Sequence, residues 1–486
     1  MAIDTLPLHD RDAVRAFYAA RHGAPVWLGS ECQERLAALR NEVDAATSHG
    51  LTPSHYHADA LTQVSCDANG EVLASDTWMA LASDLHRGRI DRVTVEPSWN
   101  LPRAPFDAPT ALEAALRTSD PVAMLPQFAP QDPYYLALKD MLTLHRQLAA
   151  RGGWPTVSPG RKLERGDRGA RVDELRRRLA ASDANGAPSI TDGLPFDVEL
   201  EEAVKAFQRR NNLEADGVVG TTTLAQLNTS AEDRVAQLRV NLERWRWMPP
   251  PPTSRDVRVF IADFRLETWD AKGPVREHKV IVGKRFRNTP SFAGEIERVV
   301  FAPRWNVPRR LLVEDKLPLF QQDPSAFHRL GYEVVDREGK PLEGEVDWHA
   351  YTAADELPFR LRQRPGPANA LGAVKILFPN RHDVYLHDTP TKELFSKVRR
   401  DFSSGCIRVE DALGLAGWLL QDDARWSPAA MEAAVARGQE TGVKLSEKVP
   451  VYLFYLTVGY DERRYVRFFE DLYQRDPAVL QALDAG

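Results

Sequence analysis

Four consecutive prolines at positions 249–252 divide the sequence into two parts with different hydrophobic periods. Before them, AEDRVAQLRVNLERWRWM carries apolar residues at three- and four-residue intervals, which is typical of a helix. After them, DVRVFIADFRLETWD alternates with a period of two, which is typical of strands. Because proline cannot continue a helix, residues 231–252 are predicted to be a connecting helix and a proline linker.

The size and composition of the chain limit what it can be. Its 486 residues are too many for one ordinary core, so two to four domains are expected. No stretch of 18 or more apolar residues occurs, which predicts no transmembrane helix. With a net charge of −6 and no block rich in lysine and arginine, nucleic acid is not expected as a partner. The first residues do not form a secretory signal, as expected either of a chain that is not exported or of one whose export segment has been removed.

Residues 1–157 are predicted to form a helical scaffold domain. Apolar residues recur at helical spacing in AVRAFYAAR, CQERLAALRNEVDAA and DPYYLALKDMLTLHRQLAARGGW. The histidines here lack the spacing of a metal-binding set, so no metal site is predicted and they are expected to lie scattered on the surface. They are His22, His49, His55, His57 and His86.

The chain has three cysteines. Cys32 and Cys66 lie in the helical region and could form a disulfide in an oxidising compartment or stay as two free thiols, and the sequence does not decide between these. Cys406 is left without a partner. A lone cysteine is more often a small buried residue than a nucleophile, unless a base lies beside it.

Residues 160–230 are predicted to form a small bundle of three short helices. The first has Val172, Leu175 and Leu179 on one face, the second has Leu200, Val204 and Phe207, and the third is TTTLAQLN.

Residues 253–486 are predicted to form a β-rich domain. In DVRVFIADFRLETWD the alternation slips by one residue after Ile261, which predicts a strand with a bulge. Further strands are predicted in HKVIVGK, RVVFAPRWNV, AVKILFP and DVYLHD. An insertion at about 309–370, with a helix in LLVEDKLPLFQQD and a hydrophilic stretch, is predicted to be a lid over the site.

Cys406 follows the turn Ser403-Ser404-Gly405 and precedes the apolar run EDALGLAGWLL. We therefore expect the thiol to lie just before a helix, whose dipole and free N–H groups would favour a thiolate. The same N–H groups could stabilise an oxyanion, with Gly405 allowing close approach of a substrate.

His387 ends a predicted strand nineteen residues before Cys406 and is the candidate base. Tyr385 shares a strand face with His387, whereas Asp388 points to the other face and is poorly placed to orient the imidazole. A backbone carbonyl is therefore predicted to orient His387.

HDTPTKELFSKVRRDFSSGCIRV resembles the active-site signature of the L,D-transpeptidases, in which a histidine precedes a [Ser/Thr]-x-Gly-Cys turn at this kind of distance. The stretches AVKILFPNRHDVYLHD and TPSF…WNVP match the same family. Residues 160–230 resemble a peptidoglycan-binding domain, most specifically in AVKAFQRRNNLEADGVVG. Many family members have histidine where this chain has Ser404 and asparagine where it has Arg408.

The resemblance implies a multidomain α+β enzyme of the Gram-negative periplasm or cell envelope, with a helical scaffold, a peptidoglycan-binding bundle and a β-rich catalytic domain. It implies that Cys406 attacks the L,D bond of a donor stem peptide and that an acceptor amine resolves the thioester into a 3→3 crosslink. It implies that Ser403, Ser404 and Gly405 form the oxyanion turn, and that the Ser404–Cys406 backbone stabilises the oxyanion. It implies no metal and no organic cofactor, and carbapenems as covalent inhibitors.

Arg408 could hold a substrate carboxylate or pair with Glu410. Other predicted substrate-contacting residues are Tyr385, Trp305, Asn306 and Asp388, with a core role as the alternative for Trp305.

Two other functions stay open from the sequence. Water as the acceptor would make the protein an L,D-carboxypeptidase or cysteine amidase. A wall-binding scaffold without turnover is the non-catalytic alternative, and a thiol redox protein is disfavoured because no Cys-x-x-Cys occurs.

Overall fold

The computed structural model describes residues 3–101, 105–182, 188–249, 254–460 and 466–485. Most of the predicted proline linker, residues 250–252, lies outside them. The chain divides into two compact units, Met1–Pro250 with Leu456–Gly486, and Pro251–Tyr455. The β-rich domain predicted over 253–486 therefore differs from the second unit, because the chain from Leu456 onward packs with the first.

Seventeen α-helices and thirteen strands are assigned in the described ranges. The helices are α1 (Arg11–Ala20), α2 (Cys32–Ala45), α3 (Ala58–Gln63), α4 (Ala68–Arg87), α5 (Arg92–Val95), α6 (Ala108–Ala115), α7 (Pro133–Ala150), α8 (Ala170–Ser182), α9 (Val198–Arg210), α10 (Thr221–Leu227), α11 (Ala231–Arg246), α12 (Arg309–Leu311), α13 (Leu317–Gln322), α14 (Ser325–Arg329), α15 (Ala412–Leu419), α16 (Pro428–Ala436) and α17 (Asp476–Asp484). The strands are β1 (Asp256–Phe260), β2 (Arg265–Asp270), β3 (Gly273–Ile281), β4 (Phe292–Phe301), β5 (Trp305–Asn306), β6 (Tyr332–Val335), β7 (Arg360–Gln363), β8 (Val374–Leu377), β9 (Leu386–His387), β10 (Ile407–Val409), β11 (Thr441–Phe454), β12 (Val458–Tyr460) and β13 (Val466–Phe468). This content confirms the predicted multidomain α+β class.

The first unit begins with a helical region in which Cys32 and Cys66 form a disulfide. No helix in the described ranges has the length and apolar character needed to cross a membrane. Helices α8, α9 and α10 form the predicted three-helix bundle around a shared apolar core. The core contains the predicted apolar faces, namely Val172, Leu175, Leu179, Leu200, Val204 and Phe207.

Helix α11 is joined to the returning chain by buried polar contacts. The Asn241 side chain is fully buried, donates to Thr457 Oγ1 at 2.7 Å and accepts from the Thr457 backbone N–H at 2.8 Å. Arg244 is also fully buried and pairs with Glu96 and with Asp476 on α17. These contacts complete the core of the first unit with residues from beyond position 455.

The second unit is built on a closed barrel with the strand order β1-β11-β4-β8-β9-β10-β3-β2. The predicted bulged strand after residue 256 is instead the β1–β2 hairpin, with Val259 opposite Leu266. Residues between Ile261 and Phe264 turn back, with a left-handed Phe264 (φ +56°) and a hydrogen bond from its N–H to the Ile261 carbonyl oxygen. The one-residue slip in the pattern is therefore a chain reversal, because apolar residues on both sides of it face the same core.

The insertion between β5 and β8 is folded rather than irregular. Strands β5, β7 and β6 form a separate sheet, and the segment has its own apolar core that includes Phe320, Trp348 and Leu361. The single helix predicted in LLVEDKLPLFQQD is instead α12, a π-helical turn over Leu312–Lys316, and α13.

Candidate active site

The candidate site lies on one face of the sheet formed by β8, β9 and β10. Strands β9 and β10 are parallel, with Leu386 opposite Ile407, and both of these side chains are fully buried in the barrel. Because side chains alternate along a strand, His387 and Arg408 lie on the other face. The preceding positions, Tyr385 and Cys406, extend that face, with the Ile407 N–H donating to the Tyr385 carbonyl oxygen at 3.1 Å.

Strand β8 adds a cation to this face. Lys375 is paired with His387 in the antiparallel β8–β9 register, and its Nζ lies 3.9 Å from the centre of the Tyr385 ring. The thiol of Cys406 and the imidazole of His387 are thus diagonal neighbours on a face that also carries Lys375, Tyr385 and Arg408.

Cys406 does not lie at a helix N-terminus, so that expectation is wrong. Strand β10 follows the cysteine directly, and α15 begins only at Ala412, with Asp411 as its N-cap. The reason is local, because Ile407 and Val409 are β-branched residues that fill the barrel interior. A helix dipole therefore contributes nothing to the thiol, and stabilisation of a thiolate has to come from neighbouring side chains and strand backbone.

Hydrogen bonds from the side chains of Ser403 and Thr289 hold the turn before the cysteine in place. Ser403 Oγ donates to the Cys406 carbonyl oxygen at 2.5 Å and accepts from the Gly405 N–H at 3.1 Å. Thr289 Oγ1 donates to the Gly405 carbonyl oxygen at 2.8 Å. Gly405 has φ +117°, a backbone conformation that favours glycine. Since its N–H is used by Ser403, Gly405 does not supply the predicted oxyanion donor.

Ser404 points outward and contacts an arginine from the β3–β4 connection. Arg287 donates to Ser404 Oγ at 2.9 Å and is paired with Glu314 and Asp315 of the π-helical turn. One nearly buried guanidinium therefore joins the cysteine turn to the start of the insertion.

His387 is buried and oriented by a backbone carbonyl, the kind of partner predicted from the sequence. Its Nδ1 lies 2.5 Å from the Asp388 carbonyl oxygen, which can only accept, so Nδ1 carries the hydrogen and Nε2 is left as an acceptor. Burial, together with the nearby Arg408, lowers the pKa of His387 to about 3. The imidazole is therefore neutral at physiological pH.

The Asp388 carboxylate is committed to structure. It accepts from the Ala373 N–H at 2.7 Å and pairs with Lys392. It lies against Gly372, where a Cβ would come within 2.3 Å of its Oδ2. The carboxylate of Asp388 is therefore already engaged within the protein, which does not favour the predicted role of Asp388 as a substrate contact.

The thiol of Cys406 is partly exposed and lies in mixed surroundings. Its Sγ is 3.6 Å from the Asp383 carbonyl oxygen. Burial raises the pKa of Cys406, and the backbone and hydroxyl of Tyr385 and the charge of Lys375 work in the opposite direction. The resting pair is accordingly a neutral thiol and a neutral imidazole.

Arg408 lies near the thiol, and Trp305 contacts Tyr385. Arg408 Nη1 donates to Thr391 Oγ1 at 3.2 Å, and Glu410 pairs with Lys279 rather than with Arg408. Across the described ranges no carboxylate pairs with Arg408, and its buried Nε has no hydrogen-bond partner. Trp305 is a core residue of the insertion that also hydrogen-bonds Tyr385, whereas Asn306 is exposed.

Three residues at this site are not predicted from the sequence, namely Lys375, Thr289 and Arg287. Lys375 stands in AVKILFP, where the period of two marks it as facing away from Val374 and Ile376, but only the β8–β9 register places it beside His387. Thr289 and Arg287 lie in a connection with no regular pattern.

We expect Lys375→Met to raise the pKa of the Cys406 thiol, because the substitution removes a cation that favours the thiolate. The midpoint of thiol alkylation by iodoacetamide against pH should move upward by about one pH unit, the size of effect of a nearby opposite charge. Lys444→Met, on an exposed position of β11, is the matched control and should leave the midpoint unchanged. An unchanged midpoint in Lys375→Met would show that this charge does not act on the sulfur.

Three parts of the chain match models of known domain families. Residues 12–142 match a scaffold domain, and residues 168–227 match the model described as "Putative peptidoglycan binding domain". Residues 254–444, which include the cysteine turn and every barrel strand except most of β11, match the L,D-transpeptidase catalytic domain. The chain carries an L,D-transpeptidase catalytic domain.

A curated relative and two solved structures accompany this L,D-transpeptidase match. A Haemophilus influenzae protein named "Putative L,D-transpeptidase" is 33% identical over 253 residues, which are 52% of this chain and 50% of that protein, so the chain spans about half the length of the relative it matches. The L,D-transpeptidase structure (residues 123–326) from Xylanimonas cellulosilytica is 16% identical, with 61% of this chain and 99% of that chain covered and a TM-score of 0.18. A fused Zn-dependent amidase/peptidase/peptidoglycan-binding domain-containing protein from Clostridium acetobutylicum is 11% identical, with 61% and 100% covered and a TM-score of 0.16. TM-scores this low support no structural inference.

Proposed function

We propose that the protein is a peptidoglycan L,D-transpeptidase that uses Cys406 as its nucleophile and His387 as its proton acceptor. The observation that carries this proposal is the placement of the free thiol and a neutral, carbonyl-oriented imidazole on one sheet face. Nucleophilic acyl transfer needs these two groups together. The match of residues 254–444 to the catalytic domain family supports the same conclusion.

In the first half-reaction, the Sγ of Cys406 attacks the carbonyl carbon of the L,D bond between a diamino acid and a terminal D-alanine. Because both resting groups are neutral, the thiol proton passes to Nε2 of His387 as the carbon–sulfur bond forms. His387 then donates this proton to the nitrogen of the departing D-alanine. A thioester remains on Cys406.

The tetrahedral oxyanion needs donors other than the Gly405 N–H. The Cys406 N–H has no intramolecular acceptor among the hydrogen bonds of the described residues, and the Tyr385 hydroxyl lies beside the sulfur. We assign these two groups to the oxyanion. The assignment keeps the Cys406 N–H of the predicted Ser404–Cys406 backbone and puts the Tyr385 hydroxyl in place of the Gly405 N–H.

In the second half-reaction, an amine of another stem attacks the thioester and His387 takes the proton of that amine. The carbon–sulfur bond then breaks, His387 returns the proton to the sulfur of Cys406, and the product is a 3→3 crosslink. Water in place of the amine gives the tripeptide, which is L,D-carboxypeptidase activity. Carbapenems are proposed as covalent inhibitors, because their strained ring amide can acylate the same sulfur. The amine of that amide stays attached to the acyl group after the ring opens and does not depart.

We propose that the protein works on the cell wall in the periplasm. The bundle of α8, α9 and α10 is proposed to bind peptidoglycan, in line with the family model that it matches. The disulfide between Cys32 and Cys66 is typical of an oxidising compartment.

We propose that the insertion between β5 and β8 acts as a lid, and that Arg287 holds it to the cysteine turn. Arg287→Ala is expected to increase the ratio of tripeptide to crosslinked dimer by up to about fivefold, since a partly exposed ion pair contributes up to about 1 kcal/mol. The ratio is measured by chromatography of the products.

The control for Arg287→Ala is Arg310→Ala. Arg310 also pairs with Glu314, whereas the hydrogen bond to Ser404 comes from Arg287. If both variants change the product ratio equally, the contact between Arg287 and Ser404 does not hold the insertion against the cysteine turn.

Arg408 is proposed to bind a carboxylate of the donor stem, since it is a partly buried guanidinium without a carboxylate partner among the described residues. Arg408→Ala is expected to raise KM for the donor about 10- to 100-fold, the effect of losing a hydrogen bond to a charged group. An amidated donor supplies the control, because it should bind wild type weakly and be unaffected by the substitution. Equal losses with both donors would argue against a carboxylate at this position.

Purified disaccharide tetrapeptide tests the function directly. The transpeptidase releases D-alanine and forms dimers in equal amounts, whereas a carboxypeptidase or amidase releases D-alanine with tripeptide alone. A protein that only binds the wall gives neither product and no carbapenem adduct by mass spectrometry.

A further inference from the structure

Two histidines and one aspartate converge in the first unit, far along the sequence from one another. His9 precedes α1, His57 lies just before α3, and Asp76 is in the middle of α4. His57 Nε2 lies 2.8 Å from Asp76 Oδ2, and the His9 and His57 rings are 4.5 Å apart. One potential ligand atom from each residue lies within 4.8 Å of the other two. The histidines of this region are therefore not all scattered on the surface, and His49 is buried as well.

The backbone holds Asp76 and His57 in this arrangement. Asp76 is buried and accepts from the backbone N–H groups of His9 at 2.9 Å and Asp10 at 3.2 Å. His57 has φ +55°, which is uncommon for a residue other than glycine. Oriented carboxylates and fixed imidazoles are what a metal site requires of its ligands.

A cavity of about 580 Å³ opens beside the cluster and is lined by His9, His55 and Asp76 among others. The Nδ1 atom of His55 is buried and has no hydrogen-bond partner within the described ranges. This unsatisfied nitrogen is a second sign, independent of the three converging residues, that a ligand or bound water is expected here.

We propose that His9, His57 and Asp76 bind one divalent transition-metal ion, with Zn²⁺ as the preferred ion and a water from the cavity as its fourth ligand. Two imidazoles and a carboxylate with one open position are a typical ligand set for zinc. To bring each ligand atom to about 2 Å from a shared ion, the side chains would have to shift by about 1 Å. The ion replaces the hydrogen bond between His57 and Asp76, and the hydrogen on Nε2 moves by way of solvent to Nδ1, so that His57 binds the ion as a neutral imidazole. The site fastens the segment before α1 to α4.

The test uses the full chain without an affinity tag, treated with a chelator, in a Cys406→Ala background so that the free thiol cannot bind metal. Co²⁺ is titrated and its visible absorption recorded, since four-coordinate Co²⁺ absorbs far more strongly than the hydrated ion. Zn²⁺ is then added to displace it. We expect one equivalent of Co²⁺, displacement by Zn²⁺, and a higher melting temperature with Zn²⁺.

The variants are His9→Ala and His57→Asn, and asparagine is chosen because it tolerates a left-handed backbone. Each should weaken binding at least tenfold while melting cooperatively without metal. His22→Asn, at an exposed histidine that also has a positive φ of 52°, is the control and should bind like the parent chain. Absence of the absorption band in the parent, or equal binding by parent and His9→Ala, would overturn the proposal and leave His57 and Asp76 as an ion pair only.

Discussion

Cys406→Ala is expected to abolish both D-alanine release and dimer formation, with a loss of about 10⁴-fold or more in rate. Removing a nucleophile eliminates the acyl-enzyme route and leaves only what binding and the oxyanion donors contribute. The measurement is D-alanine release from purified tetrapeptide, together with the mass of the protein after carbapenem treatment. Wild type should gain one adduct and the variant none.

The cysteine content of the chain makes the Cys406 experiment unambiguous. Cys32 and Cys66 are joined, so Cys406 is the single free thiol, and an alkylating reagent should add one equivalent to wild type. Cys406→Ser keeps the size of the side chain and provides the matched variant. Residual turnover in Cys406→Ala near the wild-type level would rule out the sulfur as the nucleophile.

His387→Ala is expected to slow acylation by about 10²- to 10⁴-fold, the usual contribution of a general base. Single-turnover formation of the carbapenem adduct measures this step. His382→Ala is the control, because His382 is a partly exposed histidine on the β8–β9 connection that contacts Phe292 instead. Equal effects of the two substitutions would show that His387 has only a structural role.

The pH dependence gives a second readout for His387. Since burial lowers its pKa to about 3, wild-type acylation should show no inflection near pH 6.5 and should keep rising with pH as the thiol ionises. The same depressed pKa affects stability. Below about pH 6.5 the imidazole of His387 is protonated in the unfolded chain, whereas in the folded chain it stays neutral down to about pH 3. Because the unfolded state binds the extra proton, His387 lowers the free energy of unfolding as the pH falls through this range.

The domain types could be predicted from the sequence because hydrophobic periods report which faces are buried. The faces of α8 and α9 and the strands around His387 follow from spacing alone. The helix expected after Cys406 was wrong because a short β-branched strand intervenes, and a three-residue strand is too brief for its period to be recognised. The β1–β2 hairpin differs from the predicted bulge because a tight reversal and a bulge both shift the alternation of apolar residues by one position.

Contacts between distant segments were beyond the reach of sequence patterns. Lys375 becomes a neighbour of the thiol only through the β8–β9–β10 register. His9, His57 and Asp76 meet through tertiary packing, so their spacing in the chain carries no metal signature. The proposed oxyanion donors do not include Gly405 for a similar reason, because the use of the Gly405 N–H by Ser403 depends on the exact turn.

The return of the chain to the first unit has a consequence for biosynthesis. Asn241 and Arg244 on α11 find buried partners at Thr457 and Asp476, more than 200 residues later. While a nascent chain still ends before Leu456, these side chains lack those partners, and a buried polar group without a partner costs about 1–3 kcal/mol. The barrel, which lies between the two segments, can close first. The core of the first unit can then be completed only after residues 456–476 have been translated.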